Sequence, residues 1–298
     1  MRNLLQANLF RLFRSWVFWG AMLVMVGGAL AVCIGAYHDM VLYNEPGYME
    51  PLDKTLFRAE QALGITAAIV VSLFVGTEYS GGAIRNKLVV GKSRITVYLA
   101  GYLACAGVVL LLFLVSSLAA LALGSVLFSA PSAAPGTIMT AFFVGAMICL
   151  LYAAVFYFIA VICGSRVWAA IFSILLAVAL LMAASELSQA LEQGPYTMQL
   201  VPEEFSTSKE AYSIDGVAED MFDGLVMETV PNPNYLSGEK REIVQLFYDI
   251  NPAGQTTQLA RLSEQDILYP LRIILLDAGL SAVFALGGIW IFRRKDIK

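Results

Sequence analysis

The chain has 298 residues, of which 59% are hydrophobic and only 14% charged, and its mean hydropathy is +0.72. Soluble domains carry about 25% charged residues, so this composition excludes an ordinary soluble enzyme and points to an integral membrane protein. The net charge of −4 says nothing about nucleic acid, and no nucleic-acid partner is expected.

In chain order, the first fifteen residues, MRNLLQANLFRLFRS, set Leu4, Leu5, Leu9, Leu12 and Phe13 on one helical face. Arg2, Gln6, Arg11 and Arg14 fall largely on the other, the pattern of an amphipathic helix lying in the membrane interface over residues 1–15. The alternative is a plain extension of the first span. Apolar runs follow at about 16–36, 61–77, 95–128, 137–163, 167–187 and 271–292, each near the roughly 20 residues that cross a bilayer core. The fold expected is therefore an all-α integral membrane protein with six transmembrane helices. The third run, at 1.5 Å per residue, reaches about 51 Å against a core of about 30 Å, so it must tilt, bend or project.

Residues 188–270 interrupt the pattern between the fifth and sixth spans as a sizeable extracellular segment. Its first half is acidic, with Glu203, Glu204, Glu210, Asp215, Glu219, Asp220, Asp223 and Glu228, but lacks the alternating spacing of a calcium loop. Within it, 237–252 reads as a helix capped by Ser237 and stopped by Pro252.

Basic residues set the orientation. Arg2, Arg11, Arg14, Arg85, Lys87, Lys92, Arg94, Arg166, Arg293, Arg294, Lys295 and Lys298 fall on one side if six spans alternate, and short basic loops stay cytoplasmic. Both termini are expected inside, and the loop after the second span with them, while acids such as Asp39, Glu45, Glu50 and Asp53 lie outside.

Small residues recur every fourth position as Gly27, Ala31, Gly35 on the first span, Ser116, Ala120, Gly124 on the third and Thr137, Ala141, Gly145, Cys149, Ala153 on the fourth. Such stripes let helices approach closely, either within a protomer or across a subunit interface. Asp277 is the clear acid inside a span. It is either a translocation-pathway residue or an interfacial one that reaches water or pairs with Arg272.

Chemistry within the chain is not expected. GKS at 91–93 ends like a phosphate-binding loop, but the first glycine of G-x-x-x-x-G-K-[ST] falls at Asn86 and no strand precedes it. The single histidine, His38, has no metal or triad context, and Cys33, Cys105, Cys149 and Cys163 share no ligand spacing and read as small buried hydrophobes.

The N-terminal helix, the six spans, EYSGGAIRNKLVVGKSR after the second span and FRRKDIK at the C-terminal end together resemble the ABC-2 type transporter permeases, in particular the permease subunits of bacitracin and lantibiotic exporters. The resemblance covers 1–187 and 250–298; residues 188–249 match nothing in it. It implies an elbow helix at 1–15 and a coupling segment at 78–94 that docks on a separate ATPase, which binds ATP and magnesium, so no cofactor belongs to this chain. Carried over residue by residue, Glu78, Gly82, Arg85, Asn86, Lys87, Gly91, Ser93 and Arg94 would face the ATPase or shape the loop. Ala83 stands where the family often has threonine. The partners implied are cytoplasmic ABC ATPase subunits, a second permease in a homodimer or heterodimer, and membrane lipids, in a bacterial plasma membrane.

Two other readings stay open: a secondary transporter using Asp277, which would call for inverted repeats and several intramembrane acids, and a membrane-anchored sensor or immunity protein that binds a cationic peptide outside.

Overall fold

The computed structural model describes residues 1–44, 47–202, 225–262, 267 and 269–295. The chain forms two compact units, Met1–Ala184 with Asp249–Lys298 and Ser185–Tyr248. Six helical stretches are long and apolar enough to cross a membrane: Trp16–Tyr43, Asp53–Ser80, Arg94–Leu127, Pro135–Cys163, Arg166–Glu192 and Pro270–Arg294.

The first unit is a bundle built from the apolar runs. Helix α1 (Arg2–Phe13) is separate from α2 (Trp16–Tyr43), because Ser15 turns the chain and its Oγ accepts from the amide of Phe18 at 3.1 Å as an N-cap. A plain extension of the first span is thereby replaced by a break between two helices. The second span begins early, as α3 (Asp53–Leu56) and a 3-10 turn (Arg58–Ala62) leading into α4 (Leu63–Ser80). Short α5 (Ala83–Val89) precedes α6 (Arg94–Leu127), which is one continuous helix of 34 residues. Helices α7 (Pro135–Cys163) and α8 (Arg166–Glu192) follow.

Helices α6 and α7 form the centre of the bundle. The stripe Ala141, Gly145, Cys149 and Ala153 is fully buried, and a Cβ at Gly145 would overlap the Phe113 ring of α6. These small residues pack within the protomer. On α2 the opposite holds: Gly27, Ala31 and Gly35 face outward, with no atom near a Cβ built on either glycine, while Ala21, Met25, Ala29 and Cys33 turn inward. All four cysteines are free thiols, Cys33, Cys105 and Cys149 buried and Cys163 half-buried.

The second unit contains the end of α8, two antiparallel strands, β1 (Tyr196–Pro202) and β2 (Leu225–Pro231), and most of α9 (Gly238–Ile250). The strand pair departs from a purely helical reading. Asn232 seals its open end, with its amide donating to the Pro195 carbonyl at 2.9 Å. The acidic run 203–223 lies outside the described residues.

Residues 249–262, which lie between the fifth and sixth spans in sequence, fall in the first unit with the bundle. Pro252 does not simply stop α9: it opens a further helix, α10 (Pro252–Ala260), for which Asn251 is the cap. Proline is suited to the first turn, where its missing N–H has no helical partner. Nearly every residue of α10 is buried, and it packs against the 3-10 turn, α7 and α3. The last helix is α11 (Pro270–Arg294).

Candidate functional site

Helix ends converge at one end of the bundle. The C-terminal end of α4, all of α5, the first turns of α6, and α1 meet around Glu78, which is only 4% exposed. Its Oε1 accepts from Arg11 and, at 2.8 Å, from Lys87 Nζ. Lys87 also donates to Asn8 Oδ1 at 2.9 Å, and Arg11 to the same oxygen at 3.0 Å.

Local chain geometry makes this possible. Gly81 ends α4 and Gly82 takes φ +68, a left-handed conformation that glycine adopts without steric cost, so the chain reverses and Lys87 returns over Glu78. Ile84, buried, pins α5 to the bundle. Burial holds the Lys87 ammonium below the ordinary lysine value, opposed by the Glu78 carboxylate beside it.

The sequence-identified segment thus divides into two faces. Glu78 and Lys87 point inward and fasten α1 to α5. Arg85, Asn86, Gly91, Lys92 and Ser93 are exposed, and Val89 and Val90 beside them are 79% and 76% exposed. This apolar pair, to which the sequence reading assigned no role, gives the exposed face a hydrophobic centre with a basic surround. Gly91 takes φ +83 at the next turn, and Ser93 caps α6, its Oγ accepting from the Thr96 amide at 3.2 Å.

Arg94 points elsewhere: its Nη1 donates to the carbonyls of Phe292, Arg293 and Lys295 at 3.1, 3.0 and 2.7 Å, closing the C-terminal end of α11. A cation is well placed against such unpaired carbonyls. Lys295 in turn donates to Val161 and Ile162 carbonyls at 2.7 and 2.9 Å and lies over the Tyr79 ring. One segment of seventeen residues, 78–94, is therefore tied to α1, α11 and, through Lys295, the end of α7.

The other half of the bundle holds a different polar cluster. Asp277 is fully buried and accepts from Gln255 Nε2 of α10 at 2.8 Å. It neither pairs with Arg272 nor reaches the surface, which corrects the interfacial reading. Arg272 instead pairs with Asp249 and lies over the Tyr269 ring. Glu60, read from sequence as part of an outer loop, is 1% exposed, and its Oε1 accepts from Ser116 and Ser117 hydroxyls at 2.5 and 2.9 Å. Glu60 Oε2, Gln255 Oε1 and Asp277 Oδ2 are buried acceptors with no hydrogen-bond partner among the described residues. His38 is exposed beside Asp39 and joins neither cluster.

The chain matches no family model and no curated protein.

Proposed function

We propose that this chain is the membrane-spanning permease subunit of an ATP-binding cassette exporter, with 78–94 as the coupling segment that docks on a separate ATPase. The observation that carries the reading is the two-faced α5 segment: an inner face locked by Glu78, and an outer face of Arg85, Asn86, Val89, Val90 and Lys92 free for a partner. Because α5 leads directly into Ser93 and Arg94, a push on its outer face has a short mechanical route to α6 and α11. Two bundle arrangements, differently favoured by the ATPase in its open and closed states, would then alternate during transport. In this reading α1 is the elbow helix, the basic end is cytoplasmic and a second permease completes the transporter.

The test uses the exposed face. Glu78→Lys would place a third cation against Arg11 and Lys87 and so report on folding, whereas Arg85→Glu with Val90→Asp alters only the outer surface. In a reconstituted complex the double variant is expected to insert normally and to lose stimulated ATP hydrolysis. Unchanged hydrolysis removes the docking assignment.

A second reading, ion-coupled secondary transport, gains from Glu60 and Asp277, two buried acids without a cationic partner among the described residues. Transport driven by a proton gradient without ATP, and abolished by Asp277→Asn, would favour it.

A further inference from the structure

A cavity of about 370 Å³ opens beside the Glu78 cluster, between α1, the start of α2, α4 and the first residue of α8. Its floor is apolar, formed by Val17, Val70, Leu73 and Phe74, and its rim carries Arg11 and Arg166. Gly76 sets the second arginine in place: a Cβ there would collide with the Arg166 backbone, so only glycine lets the chain entering α8 lie directly on α4. Arg166 is exposed and has no ion-pair partner among the described residues.

Charge at the rim is unbalanced. Among the residues that line the cavity, Arg11 and Arg166 stand against the single carboxylate of Glu78, so two cations against one acid leave +1. The same end of the bundle carries all four tryptophans, Trp16, Trp19, Trp168 and Trp290, each more than half exposed. Tryptophan concentrates at the level of lipid head groups, where an apolar body and a polar edge are both satisfied. A pocket with a cationic rim and an apolar floor, at that depth, is complementary to an amphiphile with an anionic head.

We propose that this cavity is a binding site for an anionic phospholipid, its phosphate between Arg11 and Arg166 and the start of an acyl chain on Val70, Leu73 and Phe74. The lipid would brace α1 against α4 and α8, so that the membrane itself sets how firmly the α5 segment is held. The site stands independently of the transporter reading, since it requires neither an ATPase nor a substrate.

The experiment titrates the purified full-length chain in neutral detergent with dioleoyl phosphatidylglycerol, and separately with dioleoyl phosphatidylcholine. Phosphatidylglycerol is expected to bind more tightly, and Arg166→Gln to weaken it about fivefold, as expected for about 1 kcal/mol per basic side chain at an anionic surface. Lys92→Gln, an exposed cation outside the cavity, is expected to leave binding unchanged, and free glycerol phosphate not to displace the lipid. A photoactivatable phosphatidylglycerol is expected to label 70–77. Equal binding of the two lipids, equal effects of the two substitutions, displacement by glycerol phosphate, or labelling elsewhere would each overturn the site.

Discussion

Two buried carboxylates on the same helical stretch, Glu60 and Glu78, lie eighteen residues apart, or about 27 Å along an ideal helix, and are treated oppositely. Glu78 is held by two cations from α1 and α5. Glu60 is held by two serine hydroxyls from α6, and one of its oxygens is left over. A charge in a low-dielectric bundle is tolerable when paired and costly when not. The Glu78 end is thus a charged fastening, and the Glu60–Asp277 half is a polar interior where protonation would relieve surplus acceptors.

The largest effect follows from that contrast. Glu78→Gln leaves Lys87 and Arg11 without their counter-charge and is expected to destabilise the bundle by roughly 3 kcal/mol, the scale of breaking a buried pair. Glu60→Gln removes no ion pair and is expected to cost less than about 1 kcal/mol. Thermal unfolding of both variants in detergent measures the difference, and equal losses would dissolve the distinction.

Packing gives the next largest contrast. Gly145→Val drives a side chain into the Phe113 ring and is expected to cost about 1–3 kcal/mol. Gly27→Val, on the outward stripe of α2, has open space and is expected to leave the protomer nearly unchanged while weakening self-association in a cross-linking assay. A stability loss at Gly27 matching that at Gly145 would contradict the assignment of the two stripes.

The smallest effect is a pH dependence. Burial lowers Lys87 below its ordinary value of 10.5, so the folded chain gives up that proton before the unfolded chain does. Stability from this group therefore rises with pH between its lowered value and about 10.5, since the unfolded state binds more protons there. Lys87→Met is expected to flatten this alkaline slope in thermal midpoints; an unchanged slope assigns it to other groups.

Most of the fold was legible because apolar runs in a membrane chain announce their helices through length alone. Polar burial was not. PAGQTTQLA, the whole of α10, reads as an exposed stretch, yet Gln255, Thr256 and Thr257 are buried, since hydropathy records a side chain's cost and not the partner that offsets it. Glu60 precedes an apolar run and so resembled a loop residue; only folding brings Ser116 and Ser117 to it. Segment 78–94 was legible as a glycine-broken basic loop, but its inner face was hidden, because Arg11 and Glu78 are 67 positions apart. Sequence also gave the stripes on α2 and α7 the same spacing, and only the placement of neighbours separates them.

The central claim, that the outer face of α5 receives an ATPase, is tested most directly by gentle solubilisation of the native membrane and purification through the tagged full-length chain. The account predicts co-purification of a separate subunit that carries a complete phosphate-binding loop and hydrolyses ATP, lost with Arg85→Glu and Val90→Asp together. Recovery of the chain without such a subunit, together with transport driven by an ion gradient alone in vesicles, would contradict it.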